Sequence, residues 1–195
     1  MRTITAIERV SLDGVMQAPG SADEDTRGGF ALGGWGSAYN DDVIGEEMGK
    51  SMGKTELLLG RRTWRILHYA WADRADPNPF TKVLNETPKH VVSSSLREPL
   101  DWQNSDLLDG DAATTVATLK RTPGKDLSII GSGVLVGSLL KAGLVDKLML
   151  LIHPLVLGAG RKLFEDDADL DDLKLKLAGS VTSPSGVVIA TYLPA

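Results

Sequence analysis

The chain has 195 residues, enough for one well-buried core and few for two independent domains, so we expect a single domain over residues 1–195. A formal net charge of -5, with 24% charged residues, argues against general affinity for nucleic acid or for an anionic membrane surface. The sequence has no cysteine, which excludes disulfides, thiolate metal sites and cysteine nucleophiles and fits a cytoplasmic protein.

The first predicted element is a strand over residues 3–10, which stops at an Asp-Gly turn signal. Its polar residues leave no apolar block of the kind found in signal peptides or membrane spans, so we expect neither. Residues 16–39 are polar and rich in glycine, with Phe30 and Trp35 as large anchors. A loop of this length is typical of an active-site lid, and disorder is the competing explanation.

A helix is predicted from Asp41 or Asp42, either of which can cap it, to about Gly53. Two stripes with a spacing of four run along it, an apolar one of Ile44, Met48 and Met52 and a glycine one of Gly45, Gly49 and Gly53. An interior glycine costs roughly 1 kcal/mol relative to alanine. The glycine stripe therefore predicts a close neighbour at that face, either another backbone element or a flat ligand ring.

Short apolar strands then alternate with helices. The predicted strands are 57–59, 90–95 and 147–152 with one more that ends at Ile130, and the predicted helices are 63–70, 111–120 and 134–140. After an acidic surface run over 165–172, strands 173–180 and 186–192 flank a Ser-Pro-Ser-Gly turn typical of a hairpin. This order predicts an α/β fold with a mainly parallel central sheet, helices on its faces and an antiparallel C-terminal hairpin.

Three of the predicted strands end in residues that suit an anion, and ligands collect at the carboxyl ends of strands in such sheets. Their residues are Gly60, Arg61, Arg62 and Thr63 after the first, Ser93 and Ser94 at the second, and Gly131, Ser132, Gly133 and Val134 after the third. Free helix amides and glycine backbone suit a phosphate, and paired arginines suit a dianionic one. Each turn alone is explained as well by an ordinary connection, but together they predict a dinucleotide site with an extra phosphate.

Several segments in order resemble the dihydrofolate reductase fold and, more closely, the reductase domain of the bacterial riboflavin-biosynthesis deaminase-reductase. They are SLDGV at 11–15, GGW at 33–35, LLLGRRTW at 57–64, KHVVSSSL at 89–96, IIGSGVL at 129–135 and GLVDKLMLLIHPLVLGAGRKLF at 143–164. The resemblance covers nearly the whole chain and points to standalone members of that superfamily. The HxE and PCxxC signature of the deaminase is absent from this sequence, which excludes deamination.

The resemblance implies an NADPH cofactor. Arg61, Arg62 and Thr63 would meet its adenosine phosphate side with Ser93 and Ser94 beside them, and the turn at 131–134 would line the pyrophosphate. Its implied reaction is hydride transfer from nicotinamide C4 to a C=N or C=O bond of a ribosylaminopyrimidine or another small heterocycle. A nucleotide-binding module without turnover, holding NADP or a flavin, is the alternative.

The substrate side is less defined. Dihydrofolate reductases hold the pterin with a carboxylate of the first helix, and the candidates near that position are Asp41, Asp42, Glu46 and Glu47. Asp41 and Asp42, each taken alone, are more simply explained as helix caps and dipole partners. Asp13, directly after the first strand, is the preferred polar contact to substrate. Trp35 is a candidate lid over the nicotinamide or substrate. No metal site is predicted, because the three histidines have no metal-ligand spacing.

Relatives of this family form homodimers around the strand at 147–152 and its Gly-Ala-Gly loop. We therefore expect a homodimer as the form of the protein in solution.

Overall fold

The computed structural model describes residues 1–50, 53–165 and 172–195. The described chain forms an eight-stranded sheet in the order β4-β3-β2-β5-β1-β6-β8-β7. The strands are β1 Ile4–Ser11, β2 Glu56–Gly60, β3 Lys89–Val92, β4 Ser105–Leu108, β5 Leu127–Ile130, β6 Lys147–His153, β7 Leu175–Thr182 and β8 Val188–Pro194. Pairing is parallel from β4 to β6 and antiparallel for β8 with β6 and with β7, which confirms the predicted fold class.

Helices cover both faces of the sheet. They are α1 Asp42–Gly49, α2 Arg61–Trp71, α3 Pro79–Glu86, α4 Ala112–Arg121 and α5 Gly133–Lys141. One face of the sheet packs its largest core cluster against α4 and α5, whereas α1, α2 and α3 cover the apolar side chains of the other face. Strands buried on both faces read as continuous apolar runs, which is why 57–59 and 147–152 were recognisable.

The predicted helix at 41–53 is shorter in the structure. α1 ends at Gly49, and Gly53 lies in a turn with a φ of +71° that an L residue rarely adopts. An added Cβ at Gly45 or Gly49 would meet nothing within 4 Å, so the expected close neighbour at the glycine stripe was wrong for these two residues. Met52 of the apolar stripe lies outside the described residues, as do residues 166–171 of the acidic run.

The glycine-rich segment 16–39 is folded against the body of the protein. It contains two short 3-10 helices, Arg27–Gly29 and Ser37–Tyr39. Phe30 and Trp35 are buried with Val15 and Ala18 in a small core of their own. The burial of these two aromatic side chains therefore fixes the segment against the body of the protein.

In the described part of the chain, none of the helices has the length and apolar character that a membrane crossing requires.

Candidate cofactor and substrate site

The carboxyl ends of β2, β5, β1 and β6 lie side by side and support the candidate site. β2 runs directly into α2, and β5 reaches α5 through the glycine turn at 131–132. Parallel strands point their carboxyl ends to one edge, so the loops that follow them meet there. The predicted turns at 60–63 and 131–134 are thereby brought together.

Two hydrogen bonds join these turns. The Thr63 hydroxyl donates to the carbonyl of Gly131 at 2.9 Å, and the Ser132 hydroxyl accepts from the Gly60 N–H at 3.0 Å. Gly131 has a φ of +63°, which favours glycine, and its peptide bond with Ser132 is trans. The hydroxyls of Thr63 and Ser132 therefore each bind the backbone of the opposite turn, and they set the spacing between the starts of α2 and α5.

The start of α5 presents backbone N–H groups. Ser132 is its N-cap residue, but its side chain makes no capping hydrogen bond. Val134 in the first turn is 81% exposed. Uncapped N–H groups at the positive end of a helix are a favourable place for an anion.

Arginines from three segments approach the start of α2. The pKa of Arg62 is lowered by burial and by the positive charges of Arg27, Arg61 and Arg161, whereas the Asp25 carboxylate acts in the opposite direction. Asp25 itself holds Arg27 in a two-point ion pair, with one contact of 2.7 Å from Arg27 Nε. Positive charge therefore exceeds negative charge here, as a polyphosphate site requires.

A groove of about 480 Å³ lies beside these arginines. It is lined by Gln17, Arg27, Gly28, Gly29, Phe30, Ala31, Leu32, Ala159, Gly160 and Arg161. The glycine-rich segment forms one wall, and the loop after β6 forms the other. The volume lies within the range of small-molecule sites.

The two predicted serines have different surroundings. Ser93 is buried, and its hydroxyl accepts from the N–H groups of Ser95 and Leu96 at 3.1 Å each, so it closes the turn after β3. Ser94 is exposed. The direct neighbour of the arginines is Ser95, whose hydroxyl accepts from Arg61 Nη1 at 2.7 Å.

Asp13 anchors a loop. Its carboxylate accepts from the Ser11 hydroxyl at 2.6 Å and from the N–H groups of Leu157 at 3.1 Å and Gly158 at 2.8 Å. These hydrogen bonds, the one from Ser11 foremost, lower the pKa of Asp13 to about 2. Asp13 is therefore ionised near neutral pH, cannot serve there as a proton donor, and orders the Gly-Ala-Gly loop.

The acidic residues of α1 divide into a cap, two exposed side chains and the half-buried Glu47, which forms an ion pair with Lys50. Asp41 is the N-cap, accepting from the Ile44 N–H at 3.0 Å and from the Ser185 N–H at 3.1 Å. Asp42 and Glu46 are exposed in the first turn and middle of the helix. Met48 is the residue of α1 that lines a small cavity on this side of the sheet.

A cavity of about 30 Å³ lies on the α1 side of the sheet. It is lined by Ile7, Met48, Gly53, Thr55, Leu57, Val83, Leu84, Thr87, Ser128 and Ile130, and the hydroxyls of Thr55 and Ser128 lie 2.9 Å apart. This is room for about one or two water molecules. A heterocycle is larger than this space.

Trp35 is packed in the structure. Its indole is 8% exposed, its Nε1–H donates to the Gln17 carbonyl at 2.7 Å, and its ring meets the His153 ring edge-on at 5.1 Å. A cover made by Trp35 would have to break this hydrogen bond in order to open. The indole in its present position helps to hold the glycine-rich segment.

Known proteins are similar to this chain in sequence and in fold. A family model described as the RibD C-terminal domain matches residues 2–189. The chain belongs to this family. Uncharacterized protein YyaP of Bacillus subtilis (strain 168) is 32% identical over 139 residues, which are 70% of this chain and 72% of YyaP.

Three solved structures have the fold of this RibD C-terminal domain. A candidate riboflavin biosynthesis protein from Shewanella sp. PV-4 has a TM-score of 0.69 at 21% identity and covers 99% of each chain. A pyrimidine reductase-like protein from Corynebacterium diphtheriae scores 0.65 at 15% identity, covering 100% of this chain and 92% of its own. Dihydrofolate reductase from Enterococcus faecalis, complexed with NADP(H) and RAB-propyl, scores 0.61 at 14% identity, covering 98% and 96%.

The sequence pattern did not single out Arg27 and Arg161 of this RibD C-terminal domain. Arg27 precedes two glycines in Arg-Gly-Gly at 27–29, and Arg161 follows two glycines in Gly-Ala-Gly-Arg at 158–161. A basic residue beside a run of glycines is a phosphate-loop signal, and weighting it would have found them. Their proximity to Arg62 needed the fold, because the three residues are far apart in the chain.

Proposed function

We propose that the protein is an NADPH-dependent reductase that acts on a small heterocyclic substrate of the ribosylaminopyrimidine type. The joined turns at 60–63 and 131–134, with Arg27, Arg62 and Arg161 beside them, carry this proposal. The family supports a reductase, and the Enterococcus faecalis dihydrofolate reductase of the same fold is a complex with NADP(H).

The residues present suit this cofactor. The N–H groups at the start of α5 would hold the pyrophosphate, and the arginines would hold the extra phosphate by charge-assisted hydrogen bonds. When bound, NADPH supplies a hydride at nicotinamide C4. The chain itself orients the reactants and excludes water, with Ile7 and Ile130 as apolar walls on the α1 side.

Fluorescence titration with NADPH and NADH tests the cofactor. Arg62→Ala should weaken NADPH binding about tenfold or more, because a hydrogen bond to a charged group is worth roughly 1.5–3 kcal/mol. The affinity for NADH, which lacks the extra phosphate, should fall much less. Arg65→Ala is the matched control, an exposed arginine one turn further along α2, and should bind as the wild type does. Equal effects of both substitutions would refute the assignment.

Turnover separates the reductase from a binding module. Oxidation of NADPH is followed at 340 nm with ribosylaminopyrimidines and pterins as candidate substrates. Tight NADPH binding without oxidation by any of them would favour an NADP- or flavin-binding module.

We also propose a homodimer, with β7 as a second candidate contact beside the strand at 147–152 and its Gly-Ala-Gly loop. β6 is paired with β1 and β8 on its two edges, so strand 147–152 has no edge left for a second chain. β7 is an edge strand exposed along nearly its whole length, and Leu177 and Val181 on it are 52% and 43% exposed. Val181→Lys should convert the dimer into a monomer in sedimentation equilibrium, because a lysine on an edge strand opposes pairing. A monomeric wild type would refute this.

A further inference from the structure

Glu8 is a buried acid in the centre of the sheet. Its side chain is 1% exposed, and neither carboxyl oxygen has a hydrogen-bond partner in the described part of the chain. Burial raises the pKa of Glu8 to about 8, and the nearby N–H of Ser132 acts in the opposite direction. An unpaired buried carboxylate is costly, so the neutral acid is the favoured form near pH 7.

The position of Glu8 places it beneath the glycine turn. In β1, Ile7 is the last residue paired with β5, and its partner is Ile130. Glu8 is one residue further on, where β5 has already turned into Gly131 and Ser132. The Ser132 N–H that influences Glu8 belongs to the N-cap residue of α5. The carboxyl group is therefore directed at the start of this helix.

The elements packed around Glu8 bring no compensating charge to it. β5 and the first turn of α5 carry apolar and hydroxyl side chains. Lys147 and Lys141 stand at the far ends of β6 and α5, and Lys120 of α4 pairs with Asp146. The segment that packs on Gly133 through Leu163 carries Arg161 and Lys162, and both are exposed. Arg9 and His153 belong to the opposite face of the sheet, because side chains alternate along β1 and β6. Within the described residues, burial and the Ser132 N–H account for the pKa of Glu8.

The start of α5 has no side-chain cap from its N-cap residue. The Ser132 hydroxyl, which would ordinarily cap the helix, accepts from Gly60 instead. The first N–H groups of α5 are therefore left without a side-chain cap. Two groups could supply negative charge there, the phosphate of a ligand from outside and the ionised carboxylate of Glu8 from below.

We propose that Glu8 is a positioning residue of this turn and that a phosphate-bearing ligand binds at the start of α5 only while Glu8 holds its proton. The proposal rests on the proposed cofactor site and adds its control by pH. An ionised Glu8 places a negative charge under the same N–H groups that the phosphate needs, in an interior where charges are weakly screened. The neutral acid leaves these groups to the ligand.

The test is the dissociation constant of NADP+ between pH 7 and 9.5, measured by calorimetry. For the wild type it should rise about tenfold per pH unit above the pKa of Glu8, since binding requires one proton. Glu8→Gln, a neutral isostere, should bind tightly at every pH. Glu86→Gln, which changes an exposed acid of α3, is the control and should follow the wild type.

The outcomes distinguish the two proposals. If wild type and Glu8→Gln bind NADP+ with the same pH dependence, the role of Glu8 is refuted and the cofactor site stands. If no protein binds NADP+ at any pH, both are refuted.

A measurement on the wild type covers the case in which Glu8→Gln does not fold. Carboxyl carbon NMR of protein with labelled glutamate should show one glutamate titrating near pH 8, and NADP+ should move that titration upward by at least about one pH unit, because the ligand favours the protonated form. If every glutamate titrates near its ordinary 4.5, or if NADP+ leaves the high titration unmoved, the proposal is overturned.

Discussion

Gly160 connects the two walls of the groove, and its replacement by alanine should loosen both. Gly160 has a φ of +109°, and a Cβ there would lie 2.7 Å from Phe30 Cε2 and 2.8 Å from Val15 Cγ1. The backbone strain costs about 1–3 kcal/mol. Forcing a methyl group against a buried ring adds about 1–3 kcal/mol. We therefore expect Gly160→Ala to lower the free energy of unfolding by roughly 2–6 kcal/mol, a large share of the total for one domain.

Gly158→Ala is the matched control. It has a φ of +72° in the same loop, but its Cβ would meet nothing within 4 Å. It should cost about 1 kcal/mol from backbone strain alone. Urea unfolding gives the free energy of unfolding of both variants. In thermal unfolding, the melting temperature of Gly160→Ala should be lower than that of the wild type by roughly 5–15 °C. Equal losses in the two variants would show that the contact with Phe30 does not hold the loops together.

Three further predictions concern other parts of the chain. Burial lowers the pKa of Lys89 from 10.5 to about 8, so the unfolded chain binds this proton more tightly, and the free energy of unfolding should rise between pH 8 and 10.5. When urea unfolding is measured at these two pH values, Lys89→Met should not show the rise in the free energy of unfolding. The same rise in variant and wild type would contradict its origin in Lys89. Trp35→Phe keeps a ring but removes the hydrogen bond to Gln17, and should cost about 1–2 kcal/mol and speed proteolysis of residues 16–39; wild-type stability would refute this. The lowered pKa of Asp13 stabilises the fold above its ordinary 3.8, and this contribution is lost as the pH falls through about 2. Asp13→Asn should therefore unfold less steeply with acid between pH 4 and 2, and identical acid unfolding curves would count against the loop anchor.

Much of the fold was predictable because the pattern of apolar residues reports burial directly. Helix 111–120 and the C-terminal hairpin lie within two residues of their predicted bounds. β4 was not predicted because Ser105–Leu108 is a short, partly exposed edge strand. α3 was not predicted either, although Phe80, Val83 and Leu84 stand at helical spacing behind the Asn78 cap, a local signal that could have found it. The end of α1 was predicted too late because Gly49 and Gly53 share a helical spacing, whereas α1 ends at Gly49 and Gly53 lies in a turn.

For the candidate site, the sequence by itself determined the residue types at the ends of β2 and β5, since glycine, arginine and threonine next to apolar runs are local signals. It could not decide which polar groups are free. Ser93 and Asp13 looked available, but Ser93 accepts from N–H groups of its own turn, and Asp13 accepts from N–H groups of a loop that lies near it only in the fold. The tertiary structure alone brought Arg27 and Arg161 to Arg62 and left the Glu8 carboxyl without a hydrogen-bond partner among the described residues, because charge and burial at a point depend on segments that are distant in the chain.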